Sequence, residues 1–266
     1  MQYSHSKITT YHTCPRQFRY QYIDLHDTKE KQKLPLILGK AVHHVLELFV
    51  RQQIKQTAHT WWQEIYHNYR QEHLAEIPDH PDMIDTYRKR GEQHITWYID
   101  TYYPQETSVP ILVEQHLHIA RDKHKRCTGI IDRIDRRQED LFIIDYKTST
   151  KKRTQKYRDQ LTLYALRIQQ KFKGTYQKLY GNIIYLELQE DDTFEITQTM
   201  MENIQQQHRA TIASIENDAN QYAWWRGEEE AFTPTPWSHC THCPFVSLCP
   251  AYTHESTPKH WEQAPT

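Results

Sequence analysis

Two aspartates and a lysine stand in stretches that are otherwise apolar and strand-like. Residues 129–135 read GIIDRID and residues 143–149 read IIDYKTS. Side chains two apart share one face of a β-strand. Asp145 and Lys147 therefore point the same way, behind Leu141 and Ile143. Asp132 shares its face with Ile130 and Ile134, which leaves Arg133 and Asp135 on the other. An ionised carboxylate among apolar neighbours is costly unless it is paired or holds a cation. A plain ion pair of Asp132 or Asp145 with Lys147 or Arg133 would meet that demand. Three features point to chemistry instead: the aspartates come from adjacent strands, His43 offers a nitrogen donor, and a basic run begins at Lys147. Two carboxylates, a histidine and a lysine are what Mg²⁺- or Mn²⁺-assisted phosphodiester hydrolysis requires. The carboxylates hold a hard cation, which polarises the phosphate and acidifies its bound water. The lysine positions that water or steadies the charge developing on the phosphate.

These residues need a scaffold, and its elements can be read in turn. TGIIDRIDRR and LFIIDYKT, separated by QED, predict a β-hairpin. Just before it, ILVEQHLHIA alternates Ile111, Val113, Leu117 and Ile119 against Leu112, Glu114, His116 and His118, a half-polar strand. Within it Glu114 reads as a solvated strand glutamate in preference to an additional active-site acid, and His116 and His118 as surface histidines in preference to ligands. Residues 155–172 predict a helix carrying Gln160 and Tyr164 one turn apart. LYGNIIYLEL and TFEIT give further strands, and 198–220 another helix. In the N-terminal half, LGKAVHHVLELFVRQQI predicts an amphipathic helix with Val42, Leu46, Phe49 and Val50 in its stripe and His43 beside it. SKITTYHTCPRQFRYQYI predicts a helix opened by Ser6 with a break at Pro15. Residues 24–35 read as a charged loop, and 59–103 as two helices. Helices followed by a mixed sheet with a crossover helix define an α/β fold. The pairs Trp61-Trp62 and Trp224-Trp225 read as buried packing.

The chain has 266 residues, 37% of them hydrophobic, enough for a proper core. Its formal net charge of -1 gives no bulk attraction for nucleic acid, so any such attraction must be local. One patch qualifies: Lys147, Lys151, Lys152, Arg153, Lys156 and Arg158, with no acid before Asp159. No apolar run approaches the roughly 18 residues of a membrane span, and the first residues lack a secretory signal, so the reading is a cytoplasmic protein without membrane contact. Its five cysteines then favour a metal or cluster over disulfides.

In this order GIIDRID, IIDYKTS and QLTLY resemble the motifs of the PD-(D/E)xK nuclease superfamily, in its RecB-type branch, and LGKAVHHVLE is similar to that branch's G-x-x-x-H segment. The resemblance runs over residues 39–164. It implies a restriction-endonuclease-like core, with His43, Asp132, Asp145 and the main-chain carbonyl of Tyr146 as metal ligands for Mg²⁺ or Mn²⁺, and Lys147 as the catalytic lysine beside Asp132 and Asp145. It implies that Gln160 and Tyr164 face the active site and the DNA strand, with Lys151, Lys152 and Arg153 as further DNA contacts. It extends to CRISPR-associated nucleases. The chain is then expected to form one nuclease domain: an N-terminal helix over 1–35, a helical region over 36–108, a catalytic core over 109–200 and a Cys-rich cap over 201–266.

HCTHCPFVSLCP holds Cys240, Cys243 and Cys249, a C-x2-C-x5-C array, and Cys14 precedes a proline as Cys243 and Cys249 do. Cys127 lies mid-sheet without that setting. Four thiolates suit zinc or an iron–sulfur cluster; similar RecB-type nucleases use an N-terminal Cys-Pro and such a triplet for a [4Fe-4S] cluster. Either group would close a loop of nearly the whole chain, worth on the order of 4 kcal/mol in the chain-entropy account. The expected activity is a metal-dependent DNA nuclease, an exonuclease on single strands or DNA ends, with a helicase or CRISPR-adaptation protein as partner. The alternatives are a non-catalytic nucleic-acid-binding subunit and a zinc-stapled regulatory protein.

Overall fold

A strand hidden on both faces organises the fold. In the computed structural model, which describes residues 2–26, 34–52, 55–72, 81–122, 125–225 and 231–252, β4 (Asp140–Lys147) is buried at each position from Leu141 to Tyr146. That is the signature of a central strand covered by helices on either side. It pairs antiparallel with β3 (Lys125–Arg137), with Ile134 opposite Ile143. On its other side it pairs parallel with β5 (Leu179–Tyr185). A parallel neighbour requires a crossover, and α6 (Thr154–Lys171) supplies it. β2 (Val109–Asp122) adds antiparallel to β3, and β6 (Glu190–Glu195) to β5.

The chain divides into two compact units, one continuous over Lys31–Ile204 and one built from Met1–Glu30 with Gln205–Thr266. The sheet just described belongs to the continuous unit. Its strand alternation sends Phe142, Ile144, Tyr146 and Ile184 into a core with α3 (Leu34–Gln52), α4 (Lys55–Glu72) and α5 (Pro81–Thr96). Leu141, Ile143, Ile183 and Tyr185 face the other way, into a core with Leu161, Ala165 and Ile168 of α6. The stripe Val42, Leu46, Phe49 and Val50 is buried as its period foretold, and Trp62 is wholly enclosed. Gly91 of α5 lies where a side chain would run into the Trp62 ring, about 2.1 Å from its nearest atom, so α4 and α5 meet through a glycine.

The second unit contains β1 (Gln2–Ser4), α1 (His5–Thr13), α2 (Pro15–Tyr22) and most of α7 (Gln198–Trp225). The helix break falls at Cys14, which is extended, and Pro15 opens the second helix, where its missing N–H costs nothing. The cap of α1 is Ser4, whose oxygen accepts from Lys7 N–H at 3.2 Å, and not Ser6. Phe18 packs on Phe232, and Arg16 Nε donates to the Phe232 carbonyl at 3.0 Å. The expected loop over 24–35 lies largely outside the described residues, as do the side chains of Trp224 and Trp225.

Candidate active site

The turn-linked strands β3 and β4 bring Asp132 and Asp145 side by side, one register step beyond the pair Arg133–Ile144. Asp132 is buried, and its Oδ2 accepts the Tyr146 N–H at 2.8 Å. His43, projecting from α3, puts Nδ1 3.3 Å from the same oxygen. Asp145 is buried too, with Lys147 Nζ 2.5 Å from its Oδ2. Lys147 also donates to Gln160 Oε1 at 3.4 Å and stands 4.5 Å from the centre of the Tyr157 ring. Gln160 Nε2 in turn donates to Tyr164 OH at 3.0 Å. Tyr164 lies over Gly129 of β3, where a Cβ would sit 2.5 Å from the ring. The i, i+4 pair of α6 thus reaches the lysine through its glutamine and the hairpin through its tyrosine.

Glu114 joins this group. It lies in β2 between the pairs Val113–Arg133 and Gln115–Ile131, hence opposite Asp132, with φ of +49°. Donor atoms of His43, Glu114 and Asp132 all lie within 4.8 Å of one another. The reading of Glu114 as a solvated strand glutamate is corrected: it is half-buried and faces two other donors. Its signal in the sequence was its place opposite Asp132 once the strands are paired. Asp145 stands apart from that trio, its carboxylate turned to Lys147.

Burial sets the electrostatics. Burial raises Asp132, but His43, Lys147 and the Tyr146 N–H outweigh it and hold its carboxyl below the ordinary range. At Asp145 burial wins over Lys147, with Asp132 adding to it, and the carboxyl is pushed up. Two neighbouring carboxylates divide in this way because both cannot be charged cheaply. Burial pulls His43 down, yet Asp132 and Asp145 overcome that and raise it to about 9. Burial and then Asp132 push Glu114 up to about 7. Three carboxyl groups face one lysine and one histidine, an excess of negative charge that a hard divalent cation would relieve. The donor set fits such an ion.

On the opposite face of the same strands lies a second set of charges. Arg133 is completely buried. Its Nη2 donates to both Glu106 oxygens at 2.7 Å and to Asp135 at 2.9 Å. Its Nη1 donates to Tyr146 OH at 3.0 Å and to Tyr98 OH. Asp135 also accepts from Ser108 Oγ at 2.6 Å. Arg133 is therefore matched with Asp135 and Glu106, and neither Asp132 nor Asp145 depends on it.

Of the basic run, Lys151, Lys152 and Arg153 are exposed just before α6. Lys152 Nζ lies 2.6 Å from Glu190 of β6.

In the other unit Cys14, Cys240, Cys243 and Cys249 line one cavity with Tyr20 and Phe245. Burial, then the other three cysteines against the Phe245 N–H, raises the Cys243 thiol. Main-chain N–H groups of Thr235 and Trp237 point at the sulfurs of Cys14 and Cys240, at 3.5 and 3.4 Å. No three of these sulfurs lie within 4.8 Å of one another among the described residues. A zinc ion bonded at about 2.3 Å would draw tetrahedral thiolates to roughly 3.8 Å apart. The four thiols are thus gathered around one cavity without being drawn to zinc-bonding distance of one another. The Cys127 side chain lies outside the described residues.

Fold and site define an α/β protein with a nuclease-type centre. The family profile of the PD-(D/E)XK nuclease superfamily matches residues 2–250. The chain belongs to that superfamily, and it is a nuclease. Among solved structures it is similar to a Eubacterium rectale protein named "Putative exonuclease", with 8% identity over 80% of this chain and 79% of the other and a TM-score of 0.49. It is also similar to SSO0001, with 15% identity over 95% and 87% and a TM-score of 0.39. No curated protein matches. No helix of the described residues is long and apolar enough to cross a membrane.

Proposed function

We propose that the protein is a metal-dependent DNA nuclease of the RecB-type branch, an exonuclease working on single strands or DNA ends. The observation that carries this is the gathering of Asp132, Asp145, His43, Glu114 and Lys147 where the middle of β3 meets the last residues of β4, beside α6. His43, Asp132, Glu114 and Asp145, with the Tyr146 carbonyl, are the groups that would hold Mg²⁺ or Mn²⁺. The bound cation would polarise the phosphate and acidify a water. Asp132 is kept in place by the Tyr146 N–H and stays ionised. Lys147 is kept charged by Asp145 and Asp132, and Gln160 restrains its head. It stands ready to orient the attacking water and to neutralise charge developing on the phosphate. Gln160, Tyr164, Lys151 and Arg153 receive the strand. The protein acts in the cytoplasm, alongside a helicase or a CRISPR-adaptation partner, and the chain works as one nuclease whose catalytic unit is the continuous segment.

The test is cleavage of end-labelled single- and double-stranded DNA with Mg²⁺ or Mn²⁺, with Lys147→Ala and Asp145→Ala in parallel. Wild-type cleavage lost in both variants supports the reading. Equal activity in all three samples signals a contaminant, and DNA binding without turnover would favour the non-catalytic subunit.

The four cysteines are assigned to a [4Fe-4S] cluster, on the strength of the resemblance of the Cys14-Pro15 pair and the C-x2-C-x5-C triplet to the RecB-type pattern and of their lining one cavity. A brown sample with about four irons and four sulfides per chain is expected. A colourless sample with one zinc per chain would replace the cluster with zinc.

A further inference from the structure

Six cationic side chains lie between Lys147 and Arg158, and their surroundings differ. Lys147 is paired with Asp145. Lys152 is matched by Glu190 at 2.6 Å. Arg158 gives Asp192 two hydrogen bonds, at 2.6 and 2.9 Å. Each of these charges already has a protein partner from β4 or β6. Lys151, Arg153 and Lys156 have none: no side-chain hydrogen bond or ion pair joins any of them to another described residue. Lys156 is exposed, and partial desolvation, then the charges of Arg153 and Lys147, hold its ammonium below the ordinary lysine range. Lys147 is balanced by Asp145 and Asp132, which leaves Arg153 and Lys156 as uncompensated charges at the start of α6. A bound anion would compensate them.

Helix geometry says where that anion lies. Lys156, Gln160 and Tyr164 recur every four residues of α6 and so share a face. Gln160 touches Lys147 and Tyr164 covers Gly129, so this face is turned to the reaction centre. Lys156 extends it by one turn, about 6 Å along the axis. Arg158 and Asp159 point away from it, and Arg158 meets β6.

We propose that Lys156, assisted by Arg153, binds the backbone phosphate next to the one being cut, so that a DNA strand runs along the first turns of α6. The ligand is a phosphodiester oxygen, and the contact is independent of base identity. The inference rests on the nuclease reading and adds a defined second phosphate to it.

The experiment measures binding of a 5′-fluorescein-labelled single-stranded oligonucleotide by anisotropy, in EDTA to prevent cleavage, between 50 and 200 mM salt. Lys156→Gln is expected to lose about three- to tenfold in affinity, and the slope of log K against log salt to fall by about 0.7. Lys156→Arg should restore both. Lys178→Gln, which removes an equal charge paired to Glu195 on the far end of β5, should leave both at wild-type values. With Mg²⁺ or Mn²⁺ present, Lys156→Gln should raise KM several-fold and change kcat little. If Lys156→Gln keeps the wild-type slope while wild-type enzyme cleaves, the phosphate assignment is wrong and the nuclease reading stands. If wild-type protein neither binds nor cleaves the oligonucleotide, both are wrong. Losses equal in Lys156→Gln and Lys178→Gln would also overturn the assignment, since net charge alone would then explain them.

Discussion

Replacing Arg133 by methionine tests how the back of the active-site sheet is held. The side chain is wholly enclosed, Asp135 is equally buried, and the Glu106 side chain is only 8% exposed. Methionine fills much of the same space and removes every donor. Two carboxylates are then left facing each other, along with the hydroxyls of Tyr98 and Tyr146. Breaking a buried ion pair by deleting one partner costs about 3–5 kcal/mol. At about 2–4 °C per kcal/mol for a domain of this size, the melting temperature should fall by about 6–20 °C near pH 8. The loss has a definite pH dependence. Burial already raises Glu106, against the pull of Arg133, and in the variant that pull is gone. A carboxyl whose folded pKa exceeds its unfolded value favours the folded state at low pH and opposes it as pH rises. The deficit should therefore shrink at pH 5. Thermal melts by near-ultraviolet circular dichroism at pH 8 and pH 5 read both quantities. Adding Glu106→Gln and Asp135→Asn to Arg133→Met should recover at least half of the loss. A single variant within about 2 °C of wild type at pH 8, or equal deficits at both pH values, would refute the account.

Other outcomes follow from the front of the sheet. Because Asp132 and Asp145 overcome burial to raise His43 to about 9, the metal-free protein carries a proton that the cation must displace. Mn²⁺ affinity should rise by about tenfold per pH unit between 7 and 9 and more steeply below 7, where Glu114 also carries a proton, and calorimetry in buffers of differing ionisation heat should show about one proton released at pH 8 and more at pH 6; pH-independent affinity between 6 and 8 would contradict this. The same pair stabilises the metal-free protein fully below the ordinary imidazole value of 6.5, and that contribution fades as pH rises through about 9. Glu114→Gln should weaken Mn²⁺ binding in the same calorimeter while leaving the melting temperature of the metal-free protein unchanged or higher; unaltered affinity would remove Glu114 from the ligand set. Gly129→Ala forces Tyr164 off its seat, and should cost about 1–3 kcal/mol of stability and lower kcat through Gln160. Wild-type turnover in that variant would show the tyrosine to be a bystander.

What the sequence disclosed were the features fixed by local period. The shared face of Asp145 and Lys147, the α6 pair Gln160 and Tyr164, and the apolar stripe beside His43 each follow from counting residues along one element. What it concealed depends on which strands become neighbours. Glu114 looks like any strand glutamate until β2 is laid against β3, and its positive φ has no mark in the composition. The Arg133 cluster draws on Glu106, Ser108 and Tyr98, outside the hairpin itself. Lys152 and Arg158 read as free charges because their carboxylates stand on β6, more than thirty residues onward. The helix start moved from Ser6 to Ser4 for a simpler reason: both serines can cap, and which one does is settled by the preceding strand.

The unit made from both ends of the chain imposes a timetable on biosynthesis. All of Lys31–Ile204 is made between its two parts, so Phe18 leaves the ribosome long before Phe232, and Cys14 long before Cys240. At ~5–20 residues per second the interval is roughly ten to forty-five seconds. Throughout it Phe18 and Tyr20 lack the Phe232 and Phe245 rings they pack against and Cys14 stays a bare thiol, while the nuclease sheet can already close behind them. A group that needs all four thiolates can enter only after Cys249 has been synthesised.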